Sequence, residues 1–581
     1  LREAHYALLT SGVSFVWDAL AIMVYFAVVI GAGLASARHR GDNMREFSVG
    51  SRQLPWWAVL ASIVAAELSA GTFLGTPGEA YHSHNFLYAQ LAIGTVIARL
   101  IVAYLFIRPF YDNNVVSIYE FLQIRFGVAT RNAASAVFLV TRLLASGTRL
   151  YVAAVIVVVA YEMFAGATAN PVETLWVYAA AIIVVTALTT VYTAAGGIRA
   201  VVWTDVIQAT VMGGAVLYAI ASLWHGVGGW SAAEKYLTAP GDLQVFESGL
   251  HLPTDHDAGR LDLLANGHGI LASAWSVLGN EYTIWAALLG SVFTTMATHG
   301  TDQDMVQRML TAKDASKSRL ALVLSGLVDV PVNLAFLLIG ILIFVFFQEH
   351  PDPALPTKNP EIFSFYILHQ LPPGARGLLV AGVLATAMGS LSTAINALAT
   401  SFVQDFWTPY LARRRASQHE IVQAVRFSTI VFAFLLALVG IVTAYVVVYS
   451  PHARIIPIVL GIFGYTYGSL LGIFLLGLTT KNRGTERGNL IAMLCGFAAV
   501  SIWSGLPWDV ANVIRGQSPN ISHNVVWAFQ HGLCGFKEGY VTPPDWLVQI
   551  EFPWRIMFGT LTTYAVAWCF RPRRERAPTG R

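Results

Sequence analysis

The chain has 581 residues, 56% of them hydrophobic and only 12% charged, with a mean hydropathy of +0.59. Soluble globular chains carry about 25% charge, and a single water-soluble core cannot hide this much apolar sequence. The composition excludes an ordinary cytosolic enzyme and any disordered or fibrous class; a lone membrane anchor is excluded too, because apolar segments run from end to end. The net charge of +3 is small, so the placement of charges matters more than their sum. Cys495, Cys534 and Cys569 are too few and too scattered for a disulfide framework or a metal cluster. No cleavable signal pattern precedes the first apolar segment, which predicts targeting through the helices themselves.

A spanning helix needs about 20 mostly apolar residues to cross about 30 Å of hydrocarbon at 1.5 Å per residue. About thirteen segments qualify: 15–37, 54–80, 85–110, 132–162, 172–194, 199–224, 268–299, 318–348, 374–408, 421–449, 455–478, 488–506 and 552–570. They predict an all-α polytopic membrane protein. Basic residues set the sides. The first connection holds Arg38, Arg40, Arg45 and Arg52, and alternate connections after it hold Arg125 and Arg131; Arg308, Lys313, Lys317 and Arg319; Arg413–Arg415; and Lys481, Arg483 and Arg487. The tail ends with Arg571, Arg573, Arg574 and Arg576. The opposite connections are poor in Lys and Arg, and two of them (226–267 and 349–372) are long and acidic or proline-rich. This alternation predicts an N-terminus outside and a C-terminus in the cytoplasm of a plasma (inner) membrane. The 507–551 stretch is expected outside, with Trp, Pro and His scattered through it and no clear period. No Walker-type glycine loop occurs, which argues against direct ATP coupling. No separate soluble domain and no nucleic-acid partner are expected; the partners expected are a small solute, a coupling ion and the bilayer.

Ionisable groups and helix breaks inside hydrocarbon need a reason. In the first segment Asp18 is expected near the outer interface. The second reads Ala65-Ala-Glu-Leu-Ser-Ala-Gly-Thr72, then Phe73-Leu-Gly-Thr-Pro-Gly78. Small residues, glycines, a proline and Glu67 in one span predict a helix that unwinds partway across, its freed carbonyls directed at a cavity where they can coordinate a cation. The competing reading is a Gly/Ala-rich packing face with a proline kink.

The sixth segment begins Gly196-Gly-Ile-Arg-Ala-Val-Val-Trp-Thr-Asp205, with Gln208 one turn on. An unpaired carboxylate there costs at least about 2.5 kcal/mol, so a cation, a proton or a basic side chain must offset it. Arg142 and Arg149, seven apart and on one face of the fourth segment, are the candidate partners. The seventh segment dissolves into Thr294-Thr-Met-Ala-Thr-His-Gly-Thr-Asp-Gln-Asp304 before a basic end. Broken helices separated by five spans point to two inverted five-helix repeats with the site where the breaks meet. Asp329 in the eighth segment raises the same question as Asp205 with less context. In the ninth, Gly389, Ser390, Ser392, Thr393 and Asn396 share one side of a helix at steps of three and four. Hydroxyl oxygens suit a hard cation; the alternative is that they bond back to the preceding turn. His82, His84 and His299 lack metal-ligand spacing. Of the three, His299 falls at the expected break. No nucleophile–base pairing supports an enzyme.

Phe47-Ser-Val-Gly-Ser-Arg-Gln-Leu-Pro-Trp56, the Ser69–Tyr81 stretch, Gly196–Gln208, Gly300–Arg308 and Ala385–Asn396 together resemble the sodium/solute symporter family over roughly residues 13–500. Leu74–Tyr81, Pro109-Phe-Tyr and Ser117-Ile-Tyr-Glu-Phe look closer to the iodide, vitamin and monocarboxylate branch than to the sugar branch. The resemblance implies a LeuT-type fold: an extra N-terminal helix and cytoplasmic linker (1–53), a first five-helix repeat (54–225), an external loop (226–267), a second inverted repeat (268–480) and C-terminal helices (481–581). It implies a primary sodium site at Ala65 and Leu68 of the broken second helix and Thr386, Gly389 and Ser390 of the ninth. Gly389 departs from the pattern, because that position usually bears a serine hydroxyl. Asp205, Ser392 and Thr393 match a second sodium site. Candidates for the solute cavity are Glu67, Thr72, Phe73, Gln90, Thr295, His299 and Tyr465. The implied activity is sodium-coupled symport of a small polar solute, a small organic anion being favoured, with sodium as coupling ion and no other cofactor. The alternatives are proton coupling, motivated by Gly389 with Glu67, Asp205 and His299, a sodium-coupled sugar or amino-acid transporter, a membrane-embedded enzyme, and a solute sensor without transport.

Overall fold

Hydrocarbon offers no hydrogen bonds to the backbone, so a chain this apolar must satisfy its amides within each segment. The computed structural model describes residues 12–37, 43–165, 170–248, 277–449, 455–508, 511 and 550–572, and among these the regular structure is helical, with one isolated bridge pair between Leu54 and Ala312. Arg38, Arg40, Cys534, Arg573, Arg574, Arg576, residues 249–267 and most of the 507–551 stretch lie outside the described residues.

The first half runs α1 (Gly12–Ala37), α2 (Trp56–Glu67), α3 (Gly71–Ser83), α4 (Leu87–Asp112), the short α5 (Tyr119–Phe126), α6 (Val128–Ala165) and α7 (Pro171–Val227). The second half runs α8 (Val292–Gly300), α9 (Gln303–Met309), α10 (Ala315–Glu349), α11 (Asn359–Gln370), α12 (Ala375–Phe402), α13 (Gln418–Tyr449), α14 (Ile455–Thr479), α15 (Glu486–Trp503) and α16 (Phe552–Cys569). Among the described residues eight helices are long and apolar enough to cross a membrane, or nine when α2 and α3, bent by 58° at their break, count as one span. The count falls short of thirteen for local reasons. The expected segments 172–194 and 199–224 are two helices that meet at the Gly197 kink and are counted together as α7, the 268–299 segment lies partly outside the described residues, and α15 and α16 do not meet the length-and-apolarity test.

Local chemistry starts and stops these helices. Asp314 caps α10 by accepting from Lys317 N at 2.9 Å, and Thr485 caps α15 by accepting from Gly488 N at 3.0 Å. Within α7 the backbone turns at Gly197, with φ +56° and ψ −150°. A Cβ there would stand 2.4 Å from Phe47 O, so only glycine allows both the turn and the approach of the Met44–Val49 helix.

Large apolar side chains such as Trp176, Leu217, Phe427, Phe434 and Leu494 face outward, where lipid replaces water as solvent. The interior mixes large apolar side chains with small and hydroxyl residues, and the small ones let backbones approach. Along α12 from Leu379 to Ser401 almost every side chain is buried, and α12 packs on α1, α2, α6, α7 and α13. Asp18 of α1 accepts from Arg376 Nε at 2.7 Å and from the amides of Gly374 and Gly377 at 2.8 and 2.9 Å. That pair fastens α1 to the start of α12. The α2/α3 break and the α8/α9 break thus lie around a central α12.

Candidate functional site: two helix breaks around α12

The α2 helix stops at Glu67, where Leu68 turns to ψ +90°, and the chain becomes helical again at Gly71. Leu68 N still reaches Val64 O at 3.1 Å, but residues 69 and 70 no longer serve the carbonyls of Ala65 and Ala66 as they would in an unbroken helix. Those two carbonyls face α12. Ser390 Oγ donates to Ala66 O at 3.4 Å, and Ala65 O lies 3.4 Å from where a Cβ on Gly389 would stand. The expected positions Ala65, Gly389 and Ser390 are therefore brought together, with Leu68 at the break itself. Three other hydroxyls bond along their own helix: Thr386 to Val383 O at 2.7 Å, Ser392 to Gly389 O at 3.1 Å, and Thr393 to Gly389 O and Ser390 O at 3.1 and 3.0 Å. For these three the back-bonding alternative describes the geometry.

The second break lies at Thr301 and Asp302, between α8 and α9, and Asp302 caps α9 by accepting from Asp304 N at 2.9 Å. The partner expected for Asp205 is corrected here. Neither Arg142 nor Arg149 pairs with it; Arg308 of α9 does, at 3.7 Å, and Ser62 Oγ of α2 donates to it at 2.5 Å. Arg142 turns instead to Asp302 and, at 3.1 Å, to Asp304, because the α8/α9 break carries two acids to its face of α6. Tyr467 of α14 donates to Asp302 at 2.5 Å, and Arg308 closes the chain with Asp304 at 3.1 Å and the carbonyl of Ser62. One buried network so joins α2, α6, α7, α9 and α14. It holds the acids Asp205, Asp302 and Asp304 against the bases Arg142 and Arg308, and Asp205 Oδ1 has no hydrogen-bond partner. The unpaired Asp205 Oδ1 is costly away from water.

On the other side of the break Glu67 is held by Arg99 of α4 and by His299 Nε2 of α8 at 2.7 Å. Arg99 also receives Ser325 Oγ as acceptor at 3.0 Å and lies 3.9 Å from Asp329, both on α10. Sequence reasoning passed over Arg99, although an arginine inside the 85–110 span was a signal of the same kind as Glu67. Glu67 and His299 thus meet each other. The other solute candidates are dispersed. Thr72 lies half-buried in the wide turn opening α3, and Phe73 is fully buried between Phe336 and Phe363, with ring centroids at 5.3 and 5.7 Å. Gln90 donates to Tyr282 O at 2.9 Å, Thr295 to Thr95 Oγ1 at 3.3 Å, and Tyr465 faces Arg555 of α16 at 5.9 Å.

A small cavity beside the α2/α3 break is lined by Ser69, Ser146, Arg149, Ala387, Ser390 and Leu391. Arg149 stacks over Phe463 at 5.3 Å, and among the described residues no carboxylate pairs with it. An arginine without an anion, at the middle of α6 and facing a cavity, is poised for an anionic group. Its position in the fourth segment was noted from sequence, but its role there was assigned to Asp205.

The sequence model of the sodium:solute symporter family matches residues 47–496. The chain is 27% identical over 503 residues to sodium-coupled monocarboxylate transporter 2 of Bos taurus, covering 83% of this chain and 72% of that one. It is 26% identical over 508 residues to the sodium/sialic acid symporter of Proteus mirabilis, covering 86% and 92%. A solved structure of a Na+-coupled sialic acid symporter in a substrate-bound outward-open state superposes with a TM-score of 0.70 at 21% identity, over 95% of this chain and 96% of that one. That likeness carries the fold, a multi-pass helical transporter fold, and the match over most of the chain carries the family. The chain belongs to the sodium:solute symporter family.

Proposed function

We propose that this protein is a sodium-coupled symporter of a small organic anion, and that the anion's carboxylate is received by Arg149. The single observation behind the choice of solute is the Arg149 guanidinium, unpaired by any described carboxylate and lining the cavity beside Ser69 and Ser390. A neutral sugar would leave that charge without an offset. The monocarboxylate and sialic acid transporters among the relatives carry solutes of the same class by name.

In this reading the chain crosses a plasma (inner) membrane thirteen times, N-terminus outside and C-terminus in the cytoplasm, with the two five-helix units 54–225 and 268–480 as inverted repeats. Residues 1–53, 226–267 and 481–581 are then the extra N-terminal helix, an external loop and the C-terminal helices. Cation binding at Ala65, Leu68, Thr386, Gly389 and Ser390 ties the α2 break to α12, and Asp205 with Ser392 and Thr393 lies one step along the same helix. Tying α2 to α12 completes the wall of the Arg149 cavity, because Ser390 belongs to both and Ser69 follows Leu68 in the chain. The coupling is a shared free energy, so the solute tightens sodium by the factor by which sodium tightens the solute. One monovalent cation moving through 100 mV gains about 2.3 kcal/mol, and a tenfold sodium gradient adds about 1.4 kcal/mol. With a monovalent anion as solute, one sodium carries no net charge across, so only the sodium gradient counts and sustains about a tenfold solute gradient; a second sodium restores one net charge and raises the limit to several thousandfold.

The test is uptake by proteoliposomes under an imposed sodium gradient, with small carboxylates compared with neutral analogues. Wild-type protein is expected to accumulate a carboxylate only with sodium, and Arg149→Gln to raise its KM by about tenfold or more while Arg149→Lys keeps part of the affinity. An Arg149→Gln protein that transports the carboxylate with wild-type KM removes Arg149 from the solute site. Accumulation driven by a pH gradient without sodium favours proton coupling, the reading that the His299–Glu67 contact supports.

A further inference from the structure

Arg149 offers the cavity a cation that no described carboxylate fixes in place. A guanidinium on so long a side chain loses rotamer freedom when it is ordered, and inside a membrane it tends to reach for a polar boundary. The structure holds it by another route. The Arg149 guanidinium lies 5.3 Å from the centre of the Phe463 ring on α14, and the Arg142 guanidinium lies 5.5 Å from the same ring. The two arginines stand about two turns, or roughly 10 Å, apart on α6, so one ring serves both. Phe463 is 5% exposed and meets Tyr467 edge-on at 4.7 Å between ring centroids. Tyr467 donates to Asp302, while Asp302 and Asp304 fix Arg142. Beside the ring, Thr141 donates to Thr466 at 2.8 Å and fastens α6 to α14. The ring is thus braced by groups that already have their partners.

We propose that Phe463 is the positioning residue of the anion site: its ring, braced by Arg142 and Tyr467, holds the Arg149 guanidinium at the cavity through a cation–π contact. The inference rests on the anion reading above and names a residue which that reading does not include. Phe463 is not one of the residues that line the cavity, so it acts through Arg149 and does not touch the solute. An aromatic face attracts a cation without neutralising it, and an anion site needs both properties. A carboxylate in the place of the ring would hold Arg149 as firmly but would compete with the solute for its charge. An aliphatic side chain there would leave the guanidinium to be ordered at the moment of binding, which lowers affinity.

The experiment is uptake by proteoliposomes of the full chain under a sodium gradient. Radiolabelled lactate and sialic acid are the probes, and the one that wild type accumulates is used for every variant. Phe463→Leu should raise its KM by about tenfold or more, since a desolvated cation–π contact is lost. Vmax should stay within about twofold, because solute at saturation orders Arg149 itself. Phe463→Tyr keeps the aromatic face and should hold KM to within about threefold of wild type. In an Arg149→Gln background, Phe463→Leu should change KM by less than about twofold, because the group it positions is gone. A ring that merely packs α14 against α6 would have the same effect in both backgrounds.

A Phe463→Leu protein with the wild-type KM overturns the inference, as does an equal rise in KM in both backgrounds. A Phe463→Tyr protein as impaired as Phe463→Leu overturns it too. If Phe463→Leu does not fold, Phe463→Met, which fills similar space without an aromatic face, is read in the same way. These failures leave the anion reading standing. An Arg149→Gln protein with the wild-type KM, or a wild type that accumulates neither probe, removes the anion reading itself, and this inference with it.

Discussion

Replacing Arg99 by methionine isolates the electrostatic role of the cluster it forms with Glu67 and Asp329. Arg99 is 1% exposed and answers two carboxylates from different helices, Glu67 in direct contact and Asp329 at 3.9 Å. At 3.9 Å and an effective dielectric constant of about 20, a unit pair attracts with about 4 kcal/mol before desolvation. Removing the one cation leaves both acids buried without it, and breaking a buried pair in this way costs about 3–5 kcal/mol. Arg99→Met is therefore expected to lose stability in that range. Glu67→Gln alone should cost less, because Arg99 keeps Asp329 and Ser325. In the double variant the second substitution should recover about 2 kcal/mol of the loss, since one of the stranded charges is gone. The assay is unfolding of the purified protein by titrated SDS in mixed micelles, read by far-ultraviolet circular dichroism and treated as a double-mutant cycle. Additive single and double variants, with no coupling between positions 67 and 99, would refute the reasoning, since the ion pair would then contribute nothing to holding α2 against α4.

Two further outcomes follow from Asp205 and from the turn in α7. Asp205→Asn removes the carboxylate that the family resemblance places at a second sodium site, so any sodium-selective rise in the thermal stability of the purified protein, measured against potassium at constant ionic strength, should weaken; a rise equal to wild type excludes Asp205 as a cation ligand. Gly197→Ala forces a Cβ to within 2.4 Å of Phe47 O at a left-handed φ of +56°. With ψ at −150° this is a region open essentially to glycine alone, and the conformation by itself costs about 1–3 kcal/mol; the contact adds to it. Thermal unfolding should show the loss, and a wild-type melting temperature would show that the Met44–Val49 helix moves aside without cost.

The two breaks were legible in the sequence because they are local. Gly71, Gly75, Pro77 and the small residues beside Glu67 weaken a helix wherever it stands, and Thr301-Asp302 supplies both a break and the cap that restarts the chain as α9. The same holds for the apolar runs, whose lengths are set by hydrocarbon thickness rather than by neighbours. The separation of the 172–194 and 199–224 segments was legible for the same reason, because Gly197 sits between them and turns the backbone with φ +56° and ψ −150°. The site residues divide along the same line. Ala65, Gly389 and Ser390 came together as the resemblance implied, whereas Phe73 went into an aromatic core with Phe336 and Phe363, and Gln90 went to tying Tyr282.

By itself the sequence determined that this chain lives in a membrane, where its helices run and where two of them break, because hydropathy and helix-breaking are properties of short stretches. Only the tertiary structure decided which charge answers which. Asp205 is met by Arg308 rather than Arg142, and Glu67 by Arg99, across separations of 103 and 32 positions in the chain. Buried charges choose partners by distance in space, and spacing along one helix cannot say what the next helix brings to its face.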